Sequence, residues 1–242
     1  MRRAMPRRPT APRRLATAAR WPAGIALTSW TYMWRTTPMH RREERGSWED
    51  DAPPALAGAV EREELQEPRD GAGPLLHRRY HGRIRDGGLA PEALMARLSA
   101  DPNVVAPGGL AHFQKVEGEK GRMAIGDEFL VRMPGPWDGP VRVVAVTPRA
   151  FRFATLTGHL EAGQIEWHAA AEDGDVVFGI ESWARSGDRL SHLLHNKLRM
   201  AKEVQLHMWT SVVERVAKLA GGRLARGIEI ETRRVDEDAL PH

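Results

Sequence analysis

Between Phe151 and Trp167 the chain reads FRFATLTGHLEAGQIEW. Five residues able to orient a ligand or move a proton, Thr155, His159, Glu161, Gln164 and Glu166, fall within these seventeen positions. An imidazole titrates near neutral pH and a carboxylate well below it, so a histidine hydrogen-bonded to a carboxylate can serve as general acid and base. His159 with Glu166 is the pair that hydrolysis, cyclisation or isomerisation would use. Spacing alone does not bring them together. Strand alternation puts Phe151, Phe153 and Thr155 on one face, and Gln164, Glu166 and His168 on one face of the next strand. The plainer reading of His159, which follows Gly158, is a turn residue bonded to backbone carbonyls. No residue is therefore assigned a catalytic role.

Two further candidates lie near the C-terminal end. Gln205 falls inside an apolar helical stripe, where an unpaired amide would be costly, so it requires a ligand or a polar partner from a strand. Trp209 flanks it. Thr155, His159, Glu161, Gln164, Glu166, Gln205 and Trp209 are accordingly the candidate residues of a ligand cavity. Glu181 and Arg185 are in phase on one strand and are expected to pair. The loop MPGPWDGP, with Trp137 and Asp138, reads as a structural turn or the rim of a cavity. Ten histidines invite a metal reading. His77 and His81 share a strand face without helical convergence, however, and His192 and His195 lie off the apolar stripe. There is no HExxH, and there are no cysteines. Disulfides and cysteine-ligated centres are excluded, and no metal is expected. With no P-loop and no GxGxxG, no nucleotide cofactor is expected either.

The elements that would position these residues begin at Leu75. Leu76 to Ile84 reads as a strand. PEALMARLSADP is a short helix opened by Pro91 and closed by Pro102. Strands then follow at Ala111 to Glu117, Met123 to Met133, Val141 to Thr147, Phe151 to Thr157, Gly163 to Ala171 and Asp175 to Arg185, with Glu172-Asp173-Gly174 as a tight hairpin. Asp188 to Leu219 is a long helix. Leu190, Leu194, Leu198, Ala201, Val204, Met208, Val212, Val216 and Leu219 recur on one face, Asp188 can cap its start, and Gly221-Gly222 stops it. Short turns between consecutive strands imply antiparallel pairing. The fold class is α+β: a curved antiparallel sheet of about six or seven strands gripping one long C-terminal helix, a helix-grip arrangement. A helix across a curved sheet leaves a cavity.

Charge divides the chain. Residues 1–45 hold eleven arginines against two acids, a net +9, within a whole-chain charge of +4, so residues 46–242 carry −5. The basic pI reflects an arm rather than a nucleic-acid-binding face, and nucleic acid is not an expected partner. The domain division is a basic arm at 1–45 containing the short aromatic segment WPAGIALTSWTYMW, a Pro/Gly/acid-rich linker or surface wrap at 46–74, the helix-grip domain at 75–222, and a tail at 223–242. The aromatic segment is too short to cross a bilayer. Membrane contact through the basic arm is an alternative mode of action. A cytoplasmic location is expected, and the oligomeric state is left open.

TLTGHLEAGQIEW (Thr155 to Trp167), ESWARS (Glu181 to Ser186), AKEVQLHMW (Ala201 to Trp209) and LAGG (Leu219 to Gly222) occur in an order that resembles the bacterial domain-of-unknown-function family nineteen-ninety. GDEFLVRMPGPWDGPVRV (Gly126 to Val143) resembles an actinobacterial branch of it. The resemblance covers residues 75–222. More distantly the chain is similar to the START and birch-pollen-allergen superfamily of helix-grip ligand binders. That implies the fold and a cavity, and no catalytic residue. The expectation is a soluble domain that binds a small apolar or amphipathic molecule between sheet and helix. Acid-base catalysis by His159 and Glu166, and a peripheral membrane or interaction role for residues 1–34, stand as the alternatives.

Overall fold

The computed structural model describes residues 37–58, 60–133, 138–187 and 199–240, with side chains of the final helix from Gln205 onward. In chain order the elements are β1 (Met39–Arg45), α1 (Trp48–Asp51), β2 (Ala72–Arg85), α2 (Pro91–Ala100), β3 (His112–Glu117) and β4 (Glu128–Arg132). They continue with β5 (Gly139–Thr147), β6 (Ala150–Thr155), β7 (Glu161–Glu172), β8 (Asp175–Ser186), α3 (Arg199–Leu219), β9 (Arg223–Leu224) and β10 (Ile228–Val235). One sheet runs in the order β1-β10-β2-β8-β7-β6-β5-β4-β3, with β9 beside β2. Every pairing among these strands is antiparallel except β1 with β10.

Local chemistry explains the joints. Asp173 and Gly174 both take positive φ, 50° and 83°, as a tight β7–β8 hairpin of right-handed twist requires. At the end of α3 the Gly222 N–H reaches the Ala217 carbonyl and the Gly221 N–H the Lys218 carbonyl, each at 3.0 Å, with Gly221 left-handed. This Schellman closure satisfies carbonyls the helix would otherwise leave open. Pro91 starts α2, whose Leu94, Met95 and Leu98 are buried.

The helix-grip arrangement expected from the strand pattern is the one observed, with more strands: ten among the described residues. The additions lie outside 75–222. β10, within the expected tail, alternates with Ile228 and Ile230 inward. β1, within the expected arm, is a polar edge strand (MHRREER) whose sequence carries no apolar alternation to announce it. Conversely, only Glu128–Arg132 of the Met123 to Met133 stretch is strand, because Gly126 adopts φ 93° and makes a turn first. The first third of the expected long helix, residues 188–198, with His192 and His195, lies outside the described residues, as do the arm's residues 1–36 and Trp137.

The two sheet faces are both covered. The concave face carries Tyr80, Ile84, Val143, Phe151, Phe153, Trp167, Phe178 and Ile180, packed with α2 and with Val212, Val213 and Val216 of α3 in one core cluster. Met208, Val212 and Val216 are buried as their spacing requires. Burial is however continuous from Leu206 to Thr210, so α3 is enclosed on more than one side there. On the convex face, Leu56, Val60 and Leu65 cover Val144, Ala154 and Leu156. Trp48 and Leu240 cover Leu75, Trp183 and Val235. Residues between β1 and β2 thus form a strap over the sheet's outer side. No described helix is long and apolar enough to cross a membrane.

Candidate functional site

The concave face changes character along its strands. Its aromatic centre is Trp167, 5.4 Å from Phe151 and perpendicular to Phe178 at 6.2 Å and to Trp209 of α3 at 6.1 Å, all between ring centroids. The indole N–H groups of Trp167 and Trp209 are both buried and lack a hydrogen-bond partner among the described residues. Toward the start of the described part of α3 the face becomes polar. Arg78 of β2, 8% exposed, donates from Nη1 to Gln205 Oε1 at 2.6 Å. Gln205 Nε2 in turn faces both Glu161 carboxylate oxygens at 3.2 Å. Tyr80 sits beside this chain of contacts. Burial raises its phenol above the ordinary value, and the charges of Arg78 and Glu161 oppose each other there.

The partner that an amide in the apolar stripe demands is therefore present, and it is an arginine no sequence candidate included. The signal was in β2 itself: Arg78 falls in the same strand phase as Tyr80 and Ile84, both buried in the core. Of the seven candidates, Glu161 and Gln205 meet beneath α3, and Trp209, four residues further along that helix, packs against Trp167 instead. Thr155 does structural work beside them. Its hydroxyl accepts the Gly163 N–H at 2.9 Å and lies 2.9 Å from the Gln66 carbonyl.

His159 occupies the β6–β7 turn. Its Nδ1 accepts the Glu161 N–H at 2.9 Å, and a Cβ on Gly139 would meet its Nε2 at 2.8 Å, so the ring lies against that glycine. Burial pushes the imidazole below its usual value, against the pull of Glu161. Gln66 of the strap clamps the same turn, donating to the carbonyls of His159 and Glu161 at 3.1 Å and accepting the Gly158 N–H at 3.2 Å.

Gln164 and Glu166 face the convex side and leave the concave set. Gln164 Nε2 donates to the Pro54 carbonyl at 3.2 Å, while its Oε1 is buried without a partner among the described residues. Glu166 lies 3.6 Å from Arg152 Nε and 4.0 Å from His168 Nδ1. The acid-base pair of His159 and Glu166 is thus not assembled: one is in a turn against Gly139, the other on the outer face with Arg152.

The expected Glu181–Arg185 pair is not formed either, because residues four apart on a strand are about 13 Å apart along it. Arg185 binds Glu237 and the Gly73 and Pro68 carbonyls. Glu181 accepts from Arg79 Nε at 2.7 Å and meets His77 Nε2 at 2.5 Å, and the other ring nitrogen of His77 is 2.7 Å from Asp51 of α1. Burial alone would raise the Glu181 carboxyl. The bonds from His77 and Arg79 outweigh it and hold the group at about 2. This buried row fastens the strap to the sheet. Asp138, expected in a turn or at a rim, is buried and accepts from Arg132 Nη1 at 3.0 Å.

Among curated proteins none matches the chain. Solved structures with a similar chain path include a point mutant of norcoclaurine synthase from Thalictrum flavum, at 10% identity over 62% of this chain and 96% of that one, with a TM-score of 0.45. Major latex-like protein 151 from Panax ginseng is 13% identical over 60% of this chain and 97% of that one, with a TM-score of 0.41. Protein Ms6760 from Mycobacterium smegmatis is 13% identical over 69% and 96%, with a TM-score of 0.40. The motifs between Gly126 and Gly222 resemble one family, and the family model that matches is that one: residues 107–215, from the turn before β3 into α3, match the domain of unknown function DUF1990.

Proposed function

We propose that the chain binds a small amphipathic molecule between the concave sheet face and α3, with its apolar body against the aromatic centre. The observation that carries this reading is the pair of buried indole N–H groups, Trp167 Nε1 and Trp209 Nε1, with no acceptor among the described residues. Buried donors in folded proteins are nearly always paired. A perpendicular aromatic ring offers at most a weak N–H···π contact. An oxygen-bearing guest or water is the natural acceptor. The aromatic cluster around Trp167, with Arg78, Gln205 and Glu161 as a polar cluster on the same face, supports a ligand with an apolar body and one polar end. Acid-base catalysis by His159 and Glu166 lacks support, since the two side chains do not meet.

The test is native mass spectrometry of the protein purified from its own host, followed by denaturation and identification of what is released. A stoichiometric small molecule is expected, and Trp209→Ala is expected to lower its occupancy. A bare protein mass, together with unchanged tryptophan fluorescence on titration with decanol, would reject the reading.

A further inference from the structure

Resting on that reading, we propose that the polar end of the interior is a carboxylate site, with Arg78 as the anchor and Gln205 as the residue that positions it. The case begins with how this protein treats its other buried arginines. Arg142 meets the Glu128 carboxylate and the carbonyls of Glu61 and Glu63. Arg185 meets Glu237 and two carbonyls. Arg78 is also buried, though less deeply than either, and among the described residues no carboxylate lies within ion-pair distance of it; its one acceptor among them is the neutral Gln205 Oε1. A guanidinium carries five N–H donors in a rigid fork that matches a planar carboxylate. The one hydrogen bond between it and a described residue uses Nη1 alone, on one side of the fork.

Gln205 is held for this purpose. Its Nε2 faces both oxygens of Glu161, so Oε1 must point to Arg78. The amide thereby stands between the protein's own carboxylate and the guanidinium, and Glu161 bonds to Arg78 only through it. Tyr80 is buried on the same face, and burial raises its phenol above the ordinary value, so its hydroxyl stays a donor. Glu161, held off Arg78 by Gln205, repels a second negative charge, so a singly charged acid suits the site better than a dianionic phosphate. The ligand class is an amphipathic monocarboxylic acid, aliphatic or aromatic.

Isothermal titration of the full chain tests this with matched probes: decanoate against decanol, 2-naphthoate against 2-naphthalenemethanol, and decyl phosphate. At least one carboxylate is expected to bind about tenfold or more tightly than its alcohol, the ratio a charge-assisted hydrogen bond supplies. In Arg78→Met that ratio falls to about one. Gln205→Glu places a carboxylate beside Arg78 and collapses the ratio in the same way, which keeps the test alive should Arg78→Met fail to fold; circular dichroism checks both. Equal binding of acid and alcohol, a preference that survives Arg78→Met or a folded Gln205→Glu, or tighter binding of decyl phosphate than decanoate overturns the carboxylate site while leaving amphiphile binding intact. Failure of every probe to bind overturns both readings.

Discussion

His159 and Glu181 both respond to acid, for opposite reasons. His159 Nδ1 lies 2.9 Å from the Glu161 N–H and 3.1 Å from the Glu161 carbonyl, and burial depresses its pKa. Below the ordinary 6.5 the unfolded chain takes a proton that the folded one resists, so this contribution to stability is complete above 6.5 and declines as pH falls under it. Nitrogen NMR at pH 6 should show His159 as a neutral imidazole; an imidazolium signal would contradict its burial. Glu181 titrates at about 2 instead of its ordinary 4.5, so its contribution is complete above 4.5 and is lost as pH falls toward 2. Glu181→Gln should flatten the acid limb of a urea-unfolding series between those values. At this scale the sequence is half legible. It marks Gln205 as an amide in need of a partner but cannot supply Arg78, which lies 127 residues away. It also flags the stretch from Thr155 to Trp167 for chemistry, where much of the pattern is structural. Thr155 and Gly163 lock to each other, and a Cβ on Gly163 would fall 1.9 Å from the Trp183 carbonyl oxygen.

Elements are legible wherever alternation or helical period is strong, as in β2, β5 to β8 and α2. β1 escapes such reading because an edge strand of charged residues buries too little to leave a pattern. The strap reads as a surface wrap, but its purpose depends on α1. Asp51, 1% exposed, meets His77, the Ser47 N–H and Arg233 at once. Removing one partner from a buried charge network leaves the others unpaired, so Asp51→Ala should cost about 3 kcal/mol in urea unfolding. It should also open residues 46–71 to limited proteolysis. A loss under about 1 kcal/mol would mean that the row is solvated, with the worth of a surface pair.

For the molecule as a whole, charge is legible and misleading together. Residues 1–36 contain eight arginines and no acid, while the whole chain carries +4. A chain beginning at Thr37 keeps every described strand and carries −4. It should pass through a cation exchanger at pH 7 that retains the full-length protein. Retention of both would place the basic surface on the folded part instead.

The edge pairing of β1 with β10 also bears on synthesis. Arg45 and Asp236, joined at 2.9 Å, are 191 residues apart in sequence. β1 leaves the ribosome ahead of every other described strand, yet its one neighbour among them is the last to follow. Until β10 is translated, a strand of seven residues has no ladder to join, and the charged side chains that hide it from pattern reading keep it in water meanwhile. The first described strand made therefore waits for the last, and this edge of the sheet cannot close until β10 has been made.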